Sequence, residues 1–273
     1  MNIEFAKRMI VDSENLSSYR KRFFAGENFD EKLVEQVNKI TPQVKVYDWG
    51  KDTLTLLQWN GLEHLEKCIL DTIKNNVEGD FIETGVWRGG AVILAKVIYQ
   101  EIGVNKKVFA ADSFEGLPKP NPEKYPLDKD DKHYMDNMLK VSQEQVSSYF
   151  KLFNCLDENV IFLKGWFKDT LPIAPIDKLS ILRLDGDMYE STWDGITNLY
   201  PKLSDGGYCI VDDYFHHKGC RKAVDDYRSK YNIKEPIIKV DDDPVNEVHY
   251  WVKGKKWSTN YGLLQAMKRI FRG

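Results

Sequence analysis

The sequence predicts an α/β fold: a mainly parallel sheet, covered by helices on both faces, with an antiparallel edge. Three observations lead there. From residue 79 onward, short apolar runs alternate with helical patterns, the layout of strands joined by helical crossovers. Several of these runs end in acidic residues, and open α/β sheets bind ligands beyond the carboxyl ends of their strands. The last two runs, PIIKV and HYWVK, lie close together across a polar loop, as an antiparallel edge pair would.

Taken in order, residues 1–76 read as a helical lead-in that packs on the main domain or lids its mouth. EKLVEQVNKI (31–40) carries apolar residues at helical spacing, and 58–74, containing LEHLEKCILDTI, is strongly amphipathic. Between them TPQVKVYDWG breaks the pattern at Pro42 and Gly50. GDFIETGVWRGG then reads as a strand running into a glycine-rich turn, and AVILAKVIYQEI as a helix. KKVFAAD, NVIFLKG, KLSILRLDGD and GGYCIVDDY supply the second to fifth strands. HKGCRKAVDDYRSKYN is a helix that leads to the edge pair. The segment 119–132, KPNPEKYPLDKDDK, reads as a long exposed loop able to act as a lid. YGLLQAMKRIFRG, within a basic tail at 254–273, reads as a short amphipathic helix. It suits docking on the surface or a subunit contact, with an anionic membrane surface as the alternative. The core domain spans 77–253.

Composition narrows the function. Among 273 residues, 42% are hydrophobic and 12% aromatic, which suits a sizeable globular core. Lys and Arg number 39 against 42 Asp and Glu. That balance argues against a general nucleic-acid binder, which would be strongly basic. The four cysteines, Cys68, Cys155, Cys209 and Cys220, are scattered without CxxC pairing, so zinc and redox motifs are unsupported. The first residues lack a signal-peptide stretch, and no apolar run reaches membrane-spanning length. A cytoplasmic setting is the expectation.

Four stretches hold the candidate site. In ETGVWRGG, Glu83 closes the first strand, Gly85 permits a sharp turn, and Gly89 and Gly90 would let a ligand approach the backbone. The spacing is not the GxGxxG of dinucleotide sites. An acid at the turn suits a cationic ligand instead, and a plain tight turn is the alternative. In AADSFEG, Asp112 ends the second strand, where an acid commonly accepts hydrogen bonds from ribose hydroxyls; Ser113 could assist, or Asp-Ser could be a helix cap.

In LRLDGDMYES and GGYCIVDDYF, two neighbouring strands end in the pairs Asp185/Asp187 and Asp212/Asp213. Four acids that close repel one another unless something positive lies between them. A hard divalent cation such as Mg²⁺, Mn²⁺ or Ca²⁺ resolves the repulsion. One acid could then serve as ligand and another as base. In GWFKDTLP, Trp166 and Phe167 could flank an adenine ring and Asp169 could bond its amino group; ordinary core packing is the alternative for both rings. His216 and His217 follow the acid pair, and either a direct role or simple solvation fits them.

GDFIETGVWRGGA, ADSFEGLP, FLKGWFKDTLPIAPI, LRLDGDMYEST, LYPKLSDGGYCIVDDY and GCRKAVDDYR occur in one order over more than half of the chain. In this the sequence resembles the TylF/NovP-type sugar O-methyltransferases, the family of macrocin O-methyltransferase. The resemblance implies a class I methyltransferase fold, Rossmann-like, with S-adenosylmethionine as methyl donor and Mg²⁺ as metal. It implies that Glu83, Gly85, Asp112 and Ser113 hold the donor, with Phe167 and Asp169 at its adenine. It implies Asp185, Asp212 and Asp213 as metal ligands and Asp187 as general base. The expected partner is a sugar hydroxyl on a small glycoside, glycan or nucleotide-sugar, and the expected assembly a homodimer or larger homo-oligomer. The FHH after VDDY departs from the family's short loop into GCR. A catechol-type O-methyltransferase and a non-catalytic binding protein on the same fold are the alternatives.

Overall fold

In the computed structural model, residues 2–11, 53–215, 217–241 and 248–254 are described. The helix expected at 31–40, the break that follows it, His216 and the basic C-terminal helix lie outside them.

Seven strands form one sheet. Asp80–Thr84 (β1), Val108–Asp112 (β2), Val160–Lys164 (β3), Leu179–Leu184 (β4) and Leu203–Val211 (β5) run parallel. Ile238–Lys239 (β6) and His249–Val252 (β7) close the edge, β7 antiparallel to both β5 and β6. The order is β3-β2-β1-β4-β5-β7-β6. The chain therefore winds outward from β1 to β3, then returns to lay β4 on the other side of β1. The crevice beyond that reversal is where an open α/β sheet binds its ligand.

Strand residues alternate between two apolar layers, as period-two geometry requires. Phe81, Ile181 and Ile210 enter one cluster, and Ile82, Leu182 and Val211 the other. Ile3–Val11 (α1), Trp59–Lys74 (α2), Gly90–Ile102 (α3) and Gln143–Leu152 (α4) cover the first face. Phe167–Thr170 (α5), Tyr189–Leu199 (α6) and Lys218–Lys230 (α7) cover the second.

Helix α3 is apolar almost all round because it is buried all round, between the sheet and the helices α1 and α2. Its one lysine, Lys96, is 4% exposed and reaches Asp157 at 2.7 Å. The apolar stripe Leu62, Leu65 and Ile69 of α2 is buried against this layer. Each such side chain contributes about 1.5–3 kcal/mol. The described part of the expected lead-in is thus split. Helices α1 and α2 belong to the apolar layer, while residues 54–58 reach the mouth of the crevice.

The segment 119–132 is exposed along most of its length, yet it is pinned at one point. Asp128, 3% exposed, accepts the N–H of Tyr189 at 2.7 Å and of Glu190 at 3.1 Å. A residue some sixty positions earlier thereby satisfies the free amides that open α6. No described helix is long and apolar enough to cross a membrane.

Candidate active site

A cavity of about 770 Å³ opens beyond the carboxyl ends of the strands. The turns after β1 to β5, residues 54–58 and parts of 116–139 line it.

The turn after β1 needs glycine for a concrete reason. Gly85 has φ +88°, and a Cβ there would stand 1.7 Å from the carbonyl oxygen of Asp185. The turn therefore lies directly against the backbone that follows β4. Gly90, which also lines the cavity, admits a close approach of backbone: an added Cβ would meet the carbonyl oxygen of Leu54 at 2.5 Å. The segment that walls the cavity is seated there, with Gly90 donating its N–H to Leu54 at 2.9 Å.

Asp112, at the end of β2, organises two turns at once. One oxygen accepts the amides of Val86 at 2.8 Å and Trp87 at 3.3 Å; the other accepts that of Phe114 at 2.8 Å. Burial raises its carboxyl above the ordinary range, and these amides oppose the rise. Ser113 donates to the carbonyl of Gly116 at 2.6 Å and accepts the amide of Glu115 at 2.9 Å. Both residues line the cavity, as do Gly85, Trp166 and Phe167. Phe167 also packs against the second apolar layer. Asp169 is exposed on α5 and is not among the lining residues.

The four acids come together in two groups that share Asp213, and two of them, Asp185 and Asp212, meet a positive charge that their pairing alone did not reveal. Arg183, inside β4 and 2% exposed, directs its guanidinium at three carboxylates. Nη1 donates to Glu83 at 2.6 Å and to Asp185 at 2.6 Å, and Nη2 donates to Asp212. The second oxygen of Glu83 accepts the amide of Val92 at 3.1 Å, in the first turn of α3. Burial pushes Glu83 up to about 8 against the pull of Arg183. Asp212, Asp185 and Glu83 outweigh burial at Arg183 and keep it above its usual range, so it stays charged. Glu83, which also lines the cavity, thus has both carboxylate oxygens bonded to the protein. A charged residue between Leu182 and Leu184 was a legible signal, because a charge in a buried strand must find partners.

Asp213 is buried, and its side chain accepts the amide of Asp187 at 3.0 Å. Burial first, then the charges of Asp187, Asp185 and Asp212, push its carboxyl well above the ordinary range. Asp187 holds left-handed backbone, φ 56°, a conformation that non-glycine residues retain mostly at functional sites. Nε2 of His217 lies 3.7 Å from Asp187, and the His217 ring is 5.6 Å from that of His133.

The donor set fits a hard divalent cation. Asp185, Asp212 and Asp213 each offer an oxygen, all within 4.8 Å of one another, and carboxylate oxygens are what Mg²⁺ and Mn²⁺ prefer. Arg183 bonds Oδ2 of Asp185 and Oδ1 of Asp212. Asp187, Asp213 and His217 form a second group within the same distance, sharing Asp213 with the first. Such an arrangement can polarise a hydroxyl and accept its proton.

Comparison with known proteins agrees with the geometry. The profile of the macrocin-O-methyltransferase family (TylF) matches residues 7–253. Demethyldecarbamoylnovobiocin O-methyltransferase from Streptomyces niveus is 50% identical over 206 residues, 75% of this chain and 77% of that protein. A Streptomyces olivaceus enzyme, 8-demethyl-8-(2,3-dimethoxy-alpha-L-rhamnosyl)-tetracenomycin-C 4'-O-methyltransferase, is 42% identical over 202 residues, 73% of this chain and 77% of that protein. The structure of the O-methyltransferase NovP superposes with a TM-score of 0.73 at 42% identity, covering 88% of this chain and 99% of that one.

Proposed function

Because the chain belongs to the macrocin-O-methyltransferase (TylF) family of O-methyltransferases, we propose that it transfers a methyl group from S-adenosylmethionine to a sugar hydroxyl of a small glycoside. The observation that carries the reading is the meeting of Asp185, Asp212 and Asp213, with Asp187 beside them, in one cavity at the sheet's switch point. The rhamnosyl compound in the name of the Streptomyces olivaceus relative supports a sugar as acceptor.

Asp185, Asp212 and Asp213 would hold a divalent cation such as Mg²⁺. Bound there, it would make an acceptor hydroxyl more acidic. Asp187 takes the hydroxyl proton on its carboxylate. The acceptor oxygen then forms a bond to the methyl carbon, and the sulfonium sulfur leaves with the bonding pair. Asp112 and Ser113, which line the cavity beside the turn at Gly85, would hold the ribose of the donor. Trp166 and Phe167 would flank its base. Glu83, which lines the cavity and bonds Arg183 and the amide of Val92, would hold that turn beside the methionine part of the donor. Residues 54–58 and the segment pinned by Asp128 wall the cavity, which limits water and holds both reactants aligned. A cytoplasmic setting, a homo-oligomeric assembly and a small-molecule partner in place of nucleic acid belong to the same proposal.

The test is a methyl-transfer assay on rhamnosides and other deoxysugar glycosides, with catechols in parallel. Methylated glycoside that depends on S-adenosylmethionine and disappears with chelator is the expected result. Methylation of catechols alone would overturn the choice of acceptor.

A further inference from the structure

Arg183 enters no step of the proposed reaction, yet its side chain is 2% exposed and bonded to one carboxylate in β1 and to two that follow β4 and β5. Burying such a cluster carries a desolvation cost, and buried ion pairs can often be replaced by apolar residues without loss of stability. Stability alone is therefore a poor reason for an arginine between Leu182 and Leu184. We propose that Arg183 is a positioning residue for the cation site: its guanidinium, anchored by Glu83, ties Asp185 to Asp212 and so fixes both beside Asp213, the third carboxylate of the group.

Three observations support this role. The anchor is rigid, because Glu83 is itself fixed by the amide of Val92 on the far side. The fork reaches Asp185 through one nitrogen and Asp212 through the other, so the carboxylates after β4 and β5 are set relative to each other by one planar group. The compensation is asymmetric as well. Asp213 is the member of the triad without a bond to Arg183, and its carboxyl faces Asp187, Asp185 and Asp212. Lysine would retain the charge but not the fork.

The inference rests on the reading that Asp185, Asp212 and Asp213 hold a divalent cation. The test uses Mn²⁺ alone as probe, titrated into the chelator-stripped full chain and followed by the free-Mn²⁺ electron paramagnetic resonance signal. Wild type, Arg183→Lys, Arg183→Met and Glu83→Gln are compared, each with its urea midpoint. Wild type should bind Mn²⁺. Arg183→Lys and Glu83→Gln, still folded, should bind it at least about tenfold more weakly, the usual effect of losing a group that orients a metal ligand. A purely structural role would lower the urea midpoints and leave the Mn²⁺ affinity of the folded protein unchanged. That result overturns the inference and leaves the cation reading intact. A wild type that binds no Mn²⁺ removes the cation reading, and this inference with it. If Arg183→Met does not fold, the other two variants still decide.

Discussion

The side chain of Asp213 accepts the backbone N–H of Asp187 at 3.0 Å, and Asp187 holds left-handed backbone with φ 56°. The bond fixes a strained residue that would otherwise relax, at a cost of about 1–3 kcal/mol for such a conformation. A proposed cation ligand thus sets the position of the proposed base. Asp187→Asn keeps the size and the amide but removes the proton acceptor. Turnover should fall by about a hundredfold or more, while calorimetry shows S-adenosylmethionine binding kept within about twofold. Turnover near wild type would end the assignment of Asp187 as base.

Gly85 and Gly103 form a controlled pair. Both have positive φ, but a Cβ at Gly103 meets nothing within 4 Å, whereas one at Gly85 meets the Asp185 carbonyl oxygen at 1.7 Å. Gly103→Ala should cost only the conformational strain, about 1 kcal/mol. Gly85→Ala should cost a further 1–3 kcal/mol or so, because backbone must move. Urea denaturation of both variants measures the difference, and equal midpoints would contradict the close packing of the two turns.

Asp128 ties the 119–132 segment to α6. Asp128→Ala leaves the amides of Tyr189 and Glu190 without this acceptor. The loss should be about 1–2 kcal/mol, as for a helix cap. Limited proteolysis should then cut the segment faster than in wild type. An unchanged cleavage rate would show that the anchor does not restrain it.

His64 makes stability depend on pH. Its ring stands 4.4 Å from that of Tyr250, and its Nε2 lies 3.4 Å from Sγ of Cys68. Burial, helped by the charge of Lys67, lowers its pKa from 6.5 to about 4. As pH falls the unfolded chain takes up this proton first. The contribution is therefore whole above pH 6.5 and lost progressively down to about pH 4. It amounts to about 3 kcal/mol at roughly 1.4 kcal/mol for each pH unit. As the pH drops through that window, the urea midpoint of wild type should fall relative to that of His64→Phe. Parallel curves would contradict the buried neutral ring.

The sheet was legible because its parallel strands carry local signals: apolar runs such as VFAAD or ILRL, several of them closed by an acid at the mouth. Helix α6 was not. It opens after Met188, whose side chain makes no cap bond, since its cap arrives from Asp128, far away in sequence. Helix α4 carried a local mark that was passed over: Ser142 accepts the amide of Gln145 at 3.2 Å, the start of an S-x-x-Q capping pattern. In the site, the acids announced themselves through their pairing in DGD and VDD. What resolves their repulsion left only a mark, Arg183 as a charge in a buried strand; its partner Glu83 comes from the pairing of β1 with β4, one hundred residues apart in the chain. At Gly90 the backbone that comes close is that of Leu54. No local pattern can specify such a contact.

The measurement closest to the central claim is calorimetric titration of S-adenosylmethionine into the wild-type chain and into Asp112→Asn. The account predicts binding at a single site in wild type, at least about tenfold weaker in the variant, as expected when a charged hydrogen-bond acceptor is lost. Equal affinity would remove Asp112 from the donor site. No binding to folded wild type would contradict the proposed methyl transfer from S-adenosylmethionine.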